Sequence, residues 1–262
     1  MKGFYAIYRK EMGHYFVSPV AYVVVGVFLA LSSFFFNYFL AAVLQQAMQM
    51  QMQEMEMGGM HPNIDVTLEV MRAFFGLLPT LVLFLTPMLT MGVFSEERKR
   101  GTMELLMTSP VTEIQIVLGK FLASVTLFAI MLLPTAAYLV FIYAHSEPVP
   151  PWRLLAAGYA GILLLGGCLL SLGSFISSLT ENQLIAAVLT FAAFLVVWVI
   201  DLGRNAGGGA GNVLEYLSVI RHFDDFTRGV IDSSSLIYYA SFMAFFVFLT
   251  VRSVDSMRWR RA

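Results

Sequence analysis

Residues 45–63 read QQAMQMQMQEMEMGGMHPN and carry six methionines, Met48, Met50, Met52, Met55, Met57 and Met60, up to His61. Soft thioethers beside an imidazole suit Cu(I), so Met50, Met52, Met55, Met57, Met60 and His61 are candidate copper ligands. The same residues also suit a helix that prolongs the preceding apolar run, its flexible Met side chains packing against a partner or lipid. Composition alone leaves both readings open. Other chemistry is missing. There is no G-x-x-x-x-G-K-[ST] loop to cradle a nucleotide, and neither H-E-x-x-H nor G-x-S-x-G occurs. The pair Gly119-Lys120 lacks the upstream glycine and precedes Phe121. No carboxylate or histidine pair sits mid-run, as proton-coupled carriers often need. The single cysteine, Cys168, lies in an apolar run and reads as a packed small residue. The chain is therefore expected to be no enzyme, to hold no cofactor and to draw its energy from elsewhere.

A charged stretch has more shape. Residues 95–112 read SEERKRGTMELLMTSPVT. Gly101 breaks a helix, and Thr102 can cap a short one running to Met107, with Glu104 in its first turn suiting the helix dipole. Pro110 ends that helix. Thr112 and Gln115 have capping-box spacing for the next one. Such corners suit a short docking helix held stiffly between two longer helices. They also suit an ordinary basic loop with normal caps.

The elements that position this loop follow from composition. Of 262 residues, 58% are hydrophobic and 13% charged, and the mean hydropathy is +0.76. A soluble domain carries about 25% charged residues. The excess apolar surface must face lipid. The net charge of −1 gives no reason to expect nucleic acid. A bilayer core takes about 20 apolar residues per helix. Six runs qualify, at about 20–44, 73–94, 114–143, 154–179, 184–202 and 236–251. Period-2 alternation is absent, so a barrel is not expected. The predicted fold is all-α and integral to the membrane, a single domain over 1–262 with six transmembrane helices. The first run is longer than the core of a secretory leader and begins only near residue 20, so it reads as a retained span.

Lys and Arg fix the orientation. Lys2, Arg9, Lys10, Arg98, Lys99, Arg100, Lys120, Arg252, Arg258, Arg260 and Arg261 fall on one side, and Arg72, Arg153, Arg204, Arg221 and Arg228 on the other. The richer side holds both ends and should be cytoplasmic. Residues 1–19 read as an amphipathic helix in the cytoplasmic interface. Phe4, Ile7, Tyr8, Met12 and Tyr15 form its apolar stripe, and Lys2, Arg9, Lys10 and Glu11 lie largely opposite. Pro19 fits the turn into the first span. Residues 203–234 read as short external amphipathic helices before the last span, on Leu214, Leu217, Val219, Ile220, Phe223, Phe226 and Val230, after a break at Gly207–Gly209. Gly167, Ser171, Ser174 and Ser178 share one face of the fourth run and predict close helix packing. Pro79, Pro87 and Pro134 predict kinks.

FSEERKRGTMELLMTSPVTEIQIVLGKF (94–121) resembles the cytoplasmic signature of ABC-2 type transporter permeases. YRKEMGHYFVSPVAYVVVGVF (8–28) and LSVIRHFDDFTRGVIDSSSLIYY (217–239) are similar to the gliding-motility-associated branch. The resemblance implies a permease in the inner (plasma) membrane that docks a separate cytoplasmic ATPase, which holds the ATP and Mg. It implies pairing with a second copy or a paralogue, and an accessory membrane protein with an external domain. It makes Thr102, Met103, Glu104, Leu105, Leu106 and Met107 the coupling helix, with Thr108 and Pro110 after it, and with Glu96, Glu97, Arg98, Arg100 and Gly101 at the joint.

Overall fold

Apolar runs of this length satisfy their backbone only as helices, and that is how they fold in a computed structural model that describes residues 2–57, 65–108, 110–145, 151–203, 216 and 218–259. In chain order the helices are α1 (Lys2–Val17), α2 (Pro19–Met57), α3 (Val66–Thr90), α4 (Ser95–Lys99), α5 (Thr102–Thr108), α6 (Glu113–Leu132), α7 (Ala136–His145), α8 (Trp152–Leu179), α9 (Gln183–Gly203), α10 (Val219–Thr227) and α11 (Ser233–Trp259). No strand occurs among the described residues. The protein is an all-α integral membrane protein.

Five runs are long and apolar enough to cross a membrane: α2, α3, the α6–α7 pair, α8 and α11. The shorter α9 has 21 residues, roughly 31 Å at 1.5 Å per residue. It traverses the bundle from end to end. Gln183 lies beside Gly92, just past the end of α3. The Phe191 ring then meets Phe84 at 5.4 Å, and Trp198 lies near Arg72 and Gly76, toward the start of α3.

Helix α8 is the axis. It contacts α3, α6, α9, α10 and α11, and small residues make the approach possible. A Cβ on Gly158 would lie 2.6 Å from the Phe75 ring, and one on Gly161 would lie 2.6 Å from Phe226. Two residues of the predicted small face meet α11, Gly167 at Met243 and Ser178 at Ser253, 2.9 Å away; beside Gly167 the Cys168 thiol donates to the Tyr239 carbonyl at 3.5 Å. Residue numbers rise together along both helices, so α8 and α11 run in the same direction. Ser171 and Ser174 are buried on the same helix. Outward faces of α2 and α11 stay apolar and uncovered, with Tyr22, Phe34, Ile237 and Phe245 exposed.

Three features bear on the sequence reading. First, α2 continues to Met57, 39 residues in all and roughly 58 Å. The described methionines Met48, Met50 and Met52 therefore sit on a helix that prolongs the first span, with Met48 and Met52 exposed. Met60 and His61, and the side chains of Met55 and Met57, lie outside the described residues. Second, Pro134 interrupts its run as a 3-10 turn over Leu133–Thr135, whereas α3 continues through Pro79 and Pro87. Third, Glu11 does not join the charged face of α1. It is buried on the apolar stripe, one turn beyond Ile7.

Before the last span, Ser218 caps α10 by accepting from the Arg221 amide at 3.1 Å. Val219, His222, Phe223 and Phe226 are buried against the bundle. Val230 stays exposed, and Leu214, Leu217 and Gly207–Gly209 lie outside the described residues.

Candidate functional site

The loop between α3 and α6 is built on a second, smaller core. Ile7 of α1, Val93, Phe94, Met103 of α5, Ile116 and Val117 of α6 and Val254 of α11 bury together, with Leu106 packed at the edge. Met103 thus pins α5 to the end of the bundle. Thr102 and Glu104 face outward, as does Pro110. Gly101 closes α4 with φ of +71°, a left-handed corner that suits glycine. The Thr102 hydroxyl donates back to the Glu97 carbonyl at 3.4 Å, and α5 itself begins at Thr102. Thr112 caps α6, accepting from the Gln115 amide at 3.4 Å. The side chains of Leu105, Met107 and Thr108 lie outside the described residues.

The flanking charges hold this joint together instead of pointing away from it. Arg98 donates to the Ser178 carbonyl at 2.7 Å and pairs with Glu181 at 3.1 Å. Glu96 pairs with Arg100 and lies 3.6 Å from His14. Glu97 is shared between Lys10 at 2.9 Å and Lys120 at 3.1 Å. Lys120 also donates to Glu11 at 2.9 Å and to the Val93 carbonyl at 2.9 Å, and lies over the Phe94 ring at 5.4 Å. Burial alone would lower the Lys10 amine, but its bond to Glu97 and the charges of Glu97 and Glu11 hold it above the ordinary lysine value.

Ser177 stitches the turn. Its hydroxyl accepts from the amides of Phe94 at 3.1 Å and Ser95 at 3.2 Å and donates to the Met91 carbonyl at 3.0 Å. Ser177→Ala leaves two buried amides without an acceptor and should cost about 1–3 kcal/mol. A lower unfolding midpoint of the detergent-solubilised chain is the expected result; an unchanged midpoint would remove Ser177 from the joint.

Beside α5 lies a cavity of about 440 Å³ between Met103, Glu104, Leu179, Ser256 and Met257. It lies between α5 and the ends of α8 and α11. The described ends of the chain lie at the same end of the bundle. Gly3 packs on Val111 and Gln115, and Met257 lines the cavity with Gly101.

The sequence reading grouped Glu96, Glu97, Arg98, Arg100, Gly101, Thr102, Met103 and Glu104, and the structure brings them together at one joint. It left Glu11, Ser177 and Glu181 out of the joint, and held Lys120 only as part of the Gly119-Lys120 pair near the end of the family-like segment. A signal existed for two of them. Lys120 is a lone charge near the start of an apolar run, and Glu11 falls four residues from both Ile7 and Tyr15.

This geometry provides a short helix with exposed polar residues, held at its Gly101 corner and by the buried Met103, at the end of the bundle that gathers the described ends of the chain. A stiff projection of this kind can pass a displacement from a partner into the spans. The profile of a family described as "ABC-2 family transporter protein" matches residues 5–254. Over 174 residues, 65% of the chain, the sequence is 28% identical to a protein of Escherichia coli strain K12 described as a probable multidrug ABC transporter permease, YbhR. It matches the same-named protein of Escherichia coli O157:H7 equally. The matched region is 45% of those relatives, so the alignment spans under half of their length.

Proposed function

The chain belongs to the ABC-2 family of transporter proteins, and we propose that it is the permease subunit of an ATP-driven exporter, moved by a separate ATPase docked on α5. One observation carries this reading: α5 is fixed from within by Met103 while Thr102 and Glu104 face outward. The partner ATPase holds the ATP and Mg. The loop end of the bundle faces the cytoplasm, since the connections there hold most of the Lys and Arg. With that orientation α9 is the sixth crossing, because α8 and α11 run in the same direction and one crossing must lie between them. The permease pairs with a second copy or a paralogue in the inner membrane. The likeness of residues 8–28 and 217–239 to the gliding-motility-associated branch supports an accessory membrane protein with an external domain. The multidrug description of the relatives makes a small hydrophobic compound the first cargo to test.

Glu104→Lys reverses an outward charge without touching the inner face of α5. It should reduce co-purification of the ATPase subunit with the full-length chain about tenfold or more, compared at equal amounts of folded chain. Undiminished association would reject α5 as the docking element.

A further inference from the structure

Lys120 is 2% exposed, and its amine is shared by three segments: Glu11 of α1, the Val93 carbonyl after α3, and Glu97 of α4. Its neighbour completes the arrangement. A Cβ on Gly119 would lie 2.9 Å from Ile7, so α1 reaches the amine because residue 119 has no side chain. Contacts then advance along both helices together, from Gly3 beside Gln115, through Ile7 at Gly119 and Glu11 at Lys120, to Tyr15, whose hydroxyl meets that of Ser124 at 2.8 Å. Helix α1 is thus laid along α6 and fastened at mid-length.

Stability alone does not call for a buried charge cluster, since well-packed apolar residues of similar shape often hold a fold equally well. A shared amine does something different: it fixes one relative orientation of three segments. We propose that Glu11 and Lys120 are positioning residues of the coupling joint, making α1 a moving part that shifts with α4 and α6 and not a passive anchor. This rests on the reading of α5 as the ATPase-docking helix. A displaced α4 carries Glu97, and Glu97 draws Lys120 and with it the first turns of α6. Glu11 carries α1, and Pro19 passes the motion into α2.

The test uses the full-length chain with its co-purifying ATPase subunit in liposomes. The double variant Glu11→Gln, Lys120→Met removes both charges with little change of shape and leaves Lys10 paired to Glu97. Its retention of the ATPase should match that of the unaltered chain, and its unfolding midpoint should lie much closer to it than that of Lys120→Ala. Stimulation of ATP hydrolysis by the permease should fall about tenfold, and amide exchange across residues 3–17 should rise about tenfold. Lys120→Arg, which keeps the charge, should retain most of the stimulation. A double variant that is stable, with unaltered stimulation and exchange, overturns the proposal. Should it not accumulate, Glu11→Asp keeps the charge and withdraws it by one methylene, and the same two readouts decide. If the unaltered chain retains no ATPase, the docking reading falls, and exchange over α1 still tells whether Lys120 holds that helix.

Discussion

Replacing Gly166 by Leu should prevent the chain from accumulating as a folded membrane protein. Gly166 lies on α8 where it crosses α6, and any Cβ there would fall within the van der Waals envelope of the Phe128 ring. Phe128 is itself fully buried, so the ring has nowhere to turn. Overpacking of this kind costs about 1–3 kcal/mol for a small increment, which is the expected penalty of Gly166→Ala. Leucine adds three more carbons and should exceed it. The comparison that makes the result specific is Gly167→Ala, one residue on. There the Cβ would meet the thioether of Met243 at 2.8 Å, and a Met side chain can rearrange. Gly26→Ala, with nothing within 4 Å, should be neutral or slightly stabilising through helix propensity. Folded yield and midpoint from fluorescence-detected size exclusion would rank the three. Equal behaviour of Gly166→Ala and Gly26→Ala would refute the tight α8–α6 crossing.

The second large effect is expected from Lys120→Ala. Removing the amine leaves Glu11, 7% exposed, with no counter-charge at bonding distance. Lys10 approaches it only to 4.0 Å. Breaking a buried pair by deleting one partner costs about 3–5 kcal/mol, because the remaining charge stays buried. The truncation also strips the Val93 carbonyl of its donor. The loss should be visible as a fall in midpoint, and adding Glu11→Gln should recover much of it. A single variant as stable as the parent would mean that water reaches Glu11.

Much of this architecture was legible in the chain. Runs of apolar residues longer than a bilayer is thick leave few alternatives, and all six became helices. Local corners were equally readable, because Gly101, Thr112 and Pro134 act on their own backbone within a few residues. Spacing singled out one face of α8 at Gly167–Ser178, whereas the tightest approaches lie at Gly158, Gly161, Gly166 and Gly173, whose demand comes from rings and a threonine on other helices. Harder to read was anything that depends on a partner far along the chain. Glu11 looks like a surface charge until Lys120 is set beside it. Arg98 and Glu97 look like groups free to meet a partner, until Ser178, Glu181 and Lys120 are found to hold them. The reach of α2 was one of the two readings that the methionine-rich stretch allowed. Gln and Glu between methionines lower hydropathy without breaking a helix.

The contact between Glu11 and Lys120 spans 109 residues of sequence, and that distance sets an order of events at the ribosome. At a synthesis rate of about 5–20 residues per second, Glu11 emerges several seconds before Lys120 exists. The early carboxylate must wait at the membrane surface. The later amine must begin insertion as a lone charge, a placement that costs about 2.5–3.5 kcal/mol at the middle of a span and less near its end. Only when α6 has entered can the two meet, and the joint that carries α5 closes at that moment. A nascent chain stalled before Lys120 should therefore leave residues 2–17 open to protease, and one stalled well beyond it should shield them.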